Sequence, residues 1–166
     1  MAFNSPEFSV FLPIVLLGYF LISARHWRGR KAWLLLASYA FYMSWNPVFV
    51  ILLLITTFMD FVLAQQIEGT TNPRTRRALL CVSVSTNLGM LAFFKYGAFV
   101  FANTAWFLRP LFGDASGIFD VVLPIGISFY TFEAINYTVD TYQGRIRAER
   151  NLGNFLFFIT FFPHLI

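Results

Sequence analysis

The sequence predicts an all-α, polytopic transmembrane protein with about six hydrophobic segments and its N-terminus outside. Three observations carry this reading. Of 166 residues, 58% are hydrophobic and 12% charged, against about 25% charged in a typical soluble domain. Apolar runs near the length of a membrane span alternate with short, turn-rich polar loops. The basic residues gather in every second loop. A soluble core of this size cannot hide so much apolar side chain, 22 Phe among it, so lipid must solvate much of it.

The first predicted span runs from Phe8 to Ala24. No basic residue precedes it, and Arg25, Arg28, Arg30 and Lys31 follow it. A cleavable signal peptide has the opposite charge order, so an uncleaved span is expected. Pro13 inside it is tolerable where neighbours satisfy the freed carbonyl. The second span, Ala32 to Trp45, closes on Trp45-Asn46-Pro47, an interfacial tryptophan followed by a turn dipeptide. The third, Pro47 to Gln66, follows at once, so the two helices must pack as an antiparallel pair.

Glu68 to Arg77 reads as a basic loop. The fourth span, Ala78 to Phe94, stops at Lys95-Tyr96, with Lys95 snorkelling to the outer interface. Gly97 to Leu108 either continues that helix or lies in the interface. Arg109 to Asp120 is a loop with Pro110, Gly113 and Gly117. The fifth span is Val121 to Tyr142, and Gly144 to Arg150 is another basic loop. A sixth apolar run begins near Leu152 and still continues at Ile166. It is either a re-entrant segment broken at Pro163 or a span that continues, which would make 1–166 the N-terminal part of one transmembrane domain.

The loops check one another. With the N-terminus outside, the inner loops hold Arg25, Arg28, Arg30, Lys31, Arg74, Arg76, Arg77, Arg145, Arg147 and Arg150, ten of the 12 Lys and Arg. The outer loops hold Lys95 and Arg109. That asymmetry supports the span count and the orientation together. The net charge of +4 therefore belongs to loops beside anionic headgroups. No basic-aromatic groove points to nucleic acid. The lone Cys81 excludes an internal disulfide and reads as a small core residue.

Polar groups inside the apolar runs are the candidate site. Gly126, Tyr130, Glu133, Tyr137, Asp140 and Gly144 recur at spacings of three and four, one stripe of a helix, with Asn136 beside it. Ionisable groups in a bilayer face a cavity or a partner. Two readings stand: the polar wall of a substrate path, or a buried hydrogen-bond network that fixes helix packing. Asp140 also lies close enough to pair with Arg145 or Arg147. Asp60, in the third span, reads as an acid paired near the inner interface. Ser83, Ser85, Thr86, Asn87 and Gly89 in the fourth read as close-packing residues. His26 sits in a basic loop. His164, beside Pro163, reads as structural or as part of the path. No Walker loop, GxGxxG, zinc-type histidine pair or GxSxG elbow occurs.

Several strings resemble a known family. Leu123-Pro124-Ile125-Gly126-Ile127-Ser128-Phe129-Tyr130-Thr131-Phe132-Glu133, continuing Asn136-Tyr137-Thr138-Val139-Asp140-Thr141-Tyr142, is similar to a hallmark of the membrane-bound O-acyltransferases. The similarity is greatest to the bacterial branch that acetylates alginate or carries D-alanine to teichoic acids. Phe3-Asn4-Ser5-Pro6-Glu7-Phe8, Ser38-Tyr39-Ala40-Phe41-Tyr42 with Trp45-Asn46, Asn87-Leu88 with Phe93-Phe94-Lys95-Tyr96, and Phe161-Phe162-Pro163-His164-Leu165-Ile166 resemble further segments of it.

The resemblance covers nearly the whole chain but about the first third of a typical member. It implies an enzyme of the bacterial inner membrane. Such an enzyme moves an acyl group from a cytoplasmic donor, acetyl-CoA or a carrier-bound acyl group, to a hydroxyl of an exported polysaccharide. It holds no cofactor and works with extracytoplasmic polysaccharide-modifying proteins. The family's catalytic histidine lies downstream of the matched region and His164 does not match it. No catalytic residue is therefore assigned, and 1–166 alone is expected to be inactive. Tyr130, Glu133, Asn136, Tyr137, Asp140 and His164 are the expected tunnel residues. A transporter half or a non-catalytic scaffold subunit remains the competing class.

Overall fold

Six helices, and no strand among the described residues, make up the computed structural model, which describes residues 6–23, 25–44, 47–112 and 126–161, with 98–112 described by backbone only. They are α1 (Pro6–Leu21), α2 (Trp27–Met43), α3 (Pro47–Gly69), α4 (Pro73–Phe112), α5 (Ile127–Gln143) and α6 (Leu152–Thr160).

The ends follow from local chemistry. Pro6, Pro47 and Pro73 each occupy the first helical position, where the missing N–H is no loss and φ is already set. Asn72 caps α4 by accepting from the Arg74 amide at 3.0 Å, and Asn151 caps α6 by accepting from the Asn154 amide at 3.2 Å. At the end of α5 the Arg145 amide returns to the Asp140 carbonyl and the Gly144 amide to the Thr141 carbonyl. This is a Schellman cap, and Gly144 takes the left-handed conformation it requires (φ 74°).

Several boundaries differ from the sequence reading. α2 begins at Trp27 rather than Ala32, so Arg28, Arg30 and Lys31 lie in its first turns and not in a loop. α4 begins at Pro73 and takes in Arg74, Arg76 and Arg77 in the same way. Long basic side chains are good helix formers, and their heads reach water from a helix end. α4 also passes through Lys95-Tyr96 and continues to Phe112, 40 residues in all, or about 60 Å. A snorkelling lysine marks depth without breaking a helix. The expected loop from Arg109 therefore gives its first residues to α4, while 113–125 lie outside the described residues, as do Trp45, Asn46, Pro163 and His164. α5 is described from Ile127. Cys81 is exposed on α4 rather than in a core.

Two helices, α3 and the Pro73–Gly97 part of α4, are long and apolar enough to cross a membrane. Side-chain sorting on α3 shows which solvent it expects. Thr57, Asp60, Ala64 and Ile67 are buried at helical spacing, whereas Val48, Ile51, Ile55 and Phe58 on the opposite stripe are 53–63% exposed. The outward stripe is wholly apolar and the ionisable Asp60 lies inside, the reverse of a soluble helix. Ser83 and Asn87 on α4, and Thr131, Thr138 and Thr141 on α5, are likewise buried, while Val82, Leu88, Phe129 and Phe132 face outward. Water cannot stabilise that arrangement, and lipid can.

α3 lies at the centre, touching α2, α4, α5 and α6, and α1 rests on α2. The Trp33 indole of α2 lies over Gly18 of α1 and donates to the Val15 carbonyl at 2.9 Å. The core joins Phe41, Leu53, Ile127, Phe155 and Ile159 from four helices. Long-range polar contacts tie the basic segments to one another. Lys31 Nζ donates to Asn154 Oδ1 (2.8 Å), Gln65 Nε2 to the Glu149 carbonyl (3.0 Å) and Arg76 to the Tyr142 carbonyl (2.6 Å). Arg150 pairs with Glu68 (2.7 Å). The starts of α2, α4 and α6 and the ends of α3 and α5 thus meet at one end of the bundle. Lys95 sits about 33 Å along α4 from Pro73, toward the other.

Candidate functional site

The outer face of α5 carries the cleft. Its i, i+3, i+4 pattern places Phe129, Phe132, Glu133, Asn136, Tyr137 and Asp140 on one strip. The loop after α5 adds Ile146 and α6 adds Phe158. Together with Ser128 they line an open cleft of about 680 Å³. From Ser128 to Asp140 the strip is about 18 Å long, and it ends at the basic end of the bundle. Most of its wall is aromatic or aliphatic, and a few polar groups converge on it, as in ligand sites generally.

Of the residues expected to form a path, Glu133, Asn136, Tyr137 and Asp140 share this cleft. Tyr130 does not line it. It turns inward, 6% exposed, and joins the core cluster, within electrostatic reach of the buried Tyr42. The single stripe divides because it is wide enough for one edge to turn into the core, and Tyr130 lies on that edge. His164 lies outside the described residues.

Tyr137 and Asp140 also hold the chain in place. The Tyr137 hydroxyl accepts from the Glu149 amide at 2.7 Å, and its ring stacks on Phe155 with centroids 4.7 Å apart. This pins the α5–α6 connection beneath the cleft. Asp140 pairs with Arg145 at 3.1 Å. The pair is well exposed, so it contributes little to stability, but it reduces the negative charge at that mouth. Glu133, half-buried in the middle of the strip, is thus the cleft carboxylate set deepest among apolar walls.

A second polar cluster sits behind the cleft. Asp60, fully buried on α3, accepts from Ser83 Oγ at 2.5 Å and from Asn87 Nδ2 at 3.0 and 2.8 Å. Ser83 also approaches Thr138 Oγ1 of α5 at 3.3 Å. The expectation of an interfacial partner for Asp60 is corrected by this triple-helix network. Ser83 and Asn87, read from the sequence as packing residues, are its donors. The available signal was their i, i+4 spacing, which places two donors on one face of the helix that follows an acid-bearing one. The network fastens α3, α4 and α5 together and so fixes the back of the cleft wall.

Chemically, the cleft can bind a ligand that has hydroxyl or amide donors for Glu133 and Asn136 and an apolar part for Phe129, Phe132 and Phe158. Among the described residues no three His, Cys, Asp or Glu side chains gather to hold a metal ion.

Comparison with known proteins adds identity at the level of relatives. The chain is 37% identical over 169 residues to the probable alginate O-acetylase AlgI of Pseudomonas aeruginosa, covering 100% of this chain and 32% of that protein. It is 38% identical over 174 residues to the probable alginate O-acetylase AlgI of Pseudomonas putida, covering 100% of this chain and 34% of that one. It is 32% identical over 193 residues to the peptidoglycan O-acetyltransferase of Helicobacter pylori, covering 100% and 36%. The chain spans about a third of the length of the curated relatives it matches. No family model matches it, and no solved structure matches it.

Proposed function

We propose that this chain, related along its whole length to O-acetylases of exported polysaccharides, is part of a membrane-bound O-acyltransferase of that kind. The reaction moves an acetyl group from a donor on the cytoplasmic side to a hydroxyl of a polymer such as alginate on the other side. The donor, acetyl-CoA or a carrier-bound acyl group, is a substrate, and no resident cofactor is needed. The protein crosses the bacterial inner membrane several times with its N-terminus outside, and extracytoplasmic polysaccharide-modifying proteins are its partners. The names of the relatives favour acetyl over D-alanyl as the group moved.

The observation that carries this reading is the cleft of α5 within a chain so related. The relatives' names supply the chemistry, and the cleft supplies a place for it. Glu133 and Asn136 offer acceptors and a donor for hydroxyls along an otherwise apolar surface, and the strip runs from the basic end toward the opposite one.

The test is acetylation of the polymer by cells carrying the full-length protein with Glu133→Gln or Asn136→Leu. Each is expected to lower acetyl content at least about tenfold, the scale of one lost charge-assisted hydrogen bond, with protein level and thermal midpoint unchanged. Normal acetylation by both variants would reduce the cleft to a packing surface. A transporter reading predicts instead that the variants alter solute flux and leave acetylation intact.

A further inference from the structure

A smaller slot is lined by α1, α2 and α6, with Phe161 just beyond α6. Its volume is about 270 Å³. Leu12 and Leu16 of α1, Leu34 of α2, and Phe157 and Phe161 form an apolar interior. Arg30 and Lys31 stand at its mouth beside Tyr19 and Trp27, at the end of the bundle where the basic segments meet. An apolar slot with two cations and two amphipathic aromatic rings at one end matches the layout of a lipid, tail inward and headgroup outward.

The cations are held in place but not neutralised. The Arg30 guanidinium lies 4.6 Å from the Tyr19 ring centre, and its Nε donates to the Ile22 carbonyl at 2.9 Å. Its terminal amino groups have no hydrogen-bond partner among the described residues. Lys31 is 5.5 Å from the Trp27 ring centre and donates to Asn154, one of the three bonds its ammonium can make. No carboxylate pairs with either residue among the described residues.

The setting adds a second argument. α2 begins at Trp27 with Arg28, Arg30 and Lys31 in its opening turns and no acidic residue in its first turn, and His26 does not cap it through its side chain. Cations at a helix N-terminus oppose the macrodipole. An anion at the mouth would turn three unfavourable charges and the dipole into one favourable site.

We propose that the α1–α2–α6 slot binds one anionic phospholipid, an acyl chain lying along Leu12, Leu16 and Phe157 and the headgroup phosphate held by Arg30 and Lys31. The inference rests on the membrane reading and not on acyl transfer. It makes α6, the shortest helix, dependent on lipid for part of its seat on α1 and α2.

Titration of the purified protein in detergent with brominated phosphatidylglycerol or brominated phosphatidylcholine tests it. The readout is the quenching of Trp27 emission, taken as the part lost in Trp27→Phe. Phosphatidylglycerol is expected to quench at lower mole fraction than phosphatidylcholine. Arg30→Gln/Lys31→Gln should raise its half-quenching concentration about tenfold, and Arg25→Gln should change it little. Leu16→Phe, which narrows the slot and leaves the charges and the tryptophan count unchanged, should also weaken it, so a folding defect in the charge variant cannot carry the result alone. Millimolar inorganic phosphate should not compete. Coincident curves for the two lipids, an equal effect of Arg25→Gln, or displacement by phosphate would each overturn the site.

Discussion

Asp60 shows how a single side chain organises this protein. Among the described residues it has no basic partner within bonding distance, yet its carboxylate takes Ser83 and both contacts from Asn87. Removing it strands donors on α4 that have only modest alternatives: Ser83 keeps Thr138 at 3.3 Å, and Asn87 keeps the Ser83 carbonyl at 3.0 Å. Each stranded group costs about 1–3 kcal/mol, and the alternatives pull the total toward the low end. Asp60→Ala is expected to destabilise the protein by about 2 kcal/mol, read as thermal or denaturant unfolding in detergent. Asp60→Asn should cost less, because a rotated amide still presents one carbonyl. The coupling of Asp60 and Asn87 in a double-mutant cycle should exceed the ~0.6 kcal/mol average for hydrogen bonds between membrane helices. A coupling near zero would mean that the network is incidental to packing. The acid itself was legible in the sequence, since it interrupts the apolar run from Pro47 to Gln66. Its partners were not, because Ser83 and Asn87 look like ordinary close-packing residues until α3, α4 and α5 are known to meet.

At the scale of elements, one close approach sets the seat of α1. A methyl group on Gly18 would overlap the Trp33 ring. The ring cannot swing away freely, because its Nε1 is bonded to Val15. Gly18→Ala is therefore expected to cost about 1–3 kcal/mol through overpacking. The same change on a Trp33→Ala background should cost almost nothing, since the obstacle is gone. Equal penalties on both backgrounds would show that the Trp33 ring is not the obstacle, since helix propensity alone favours alanine over glycine. All six elements were legible from apolar runs between Pro, Asn and Gly punctuation. Their ends were less so, because Arg28, Arg30, Arg74 and Arg76 look like loop residues by charge while their backbones are helical. The α5 stripe was legible as a set, but spacing alone could not tell which edge faces α3. Tyr130 went inward and Glu133 and Asn136 stayed at the cleft, a division that only the neighbours decide.

The whole molecule is ordered by where its charges gather. Four contacts, Lys31–Asn154, Gln65–Glu149, Arg76–Tyr142 and Arg150–Glu68, join the basic segments at one end although they are far apart in sequence. Helices alternating through a bilayer produce that, and the proposed orientation places this end in the cytoplasm. α3, with 23 residues, spans about 35 Å and clears a core of about 30 Å. α1, α2 and α5, of 16 and 17 residues, reach only about 25 Å, so the proposed multi-pass topology requires a locally thinner bilayer around them. With nine residues, α6 as described reaches about 14 Å. Single cysteines on a Cys81→Ser background read this directly. Thr71→Cys and Arg147→Cys, at the basic end, should react with a membrane-impermeant maleimide only after the cells are opened. Met43→Cys and Tyr96→Cys, at the opposite end of their helices, should react in intact cells with a permeable outer envelope. Reversal of all four would keep the bundle and invert its orientation. Thr71 and Arg147 on opposite sides would break the alternation itself, and with it the proposed path along α5 from a donor on one side to an acceptor on the other.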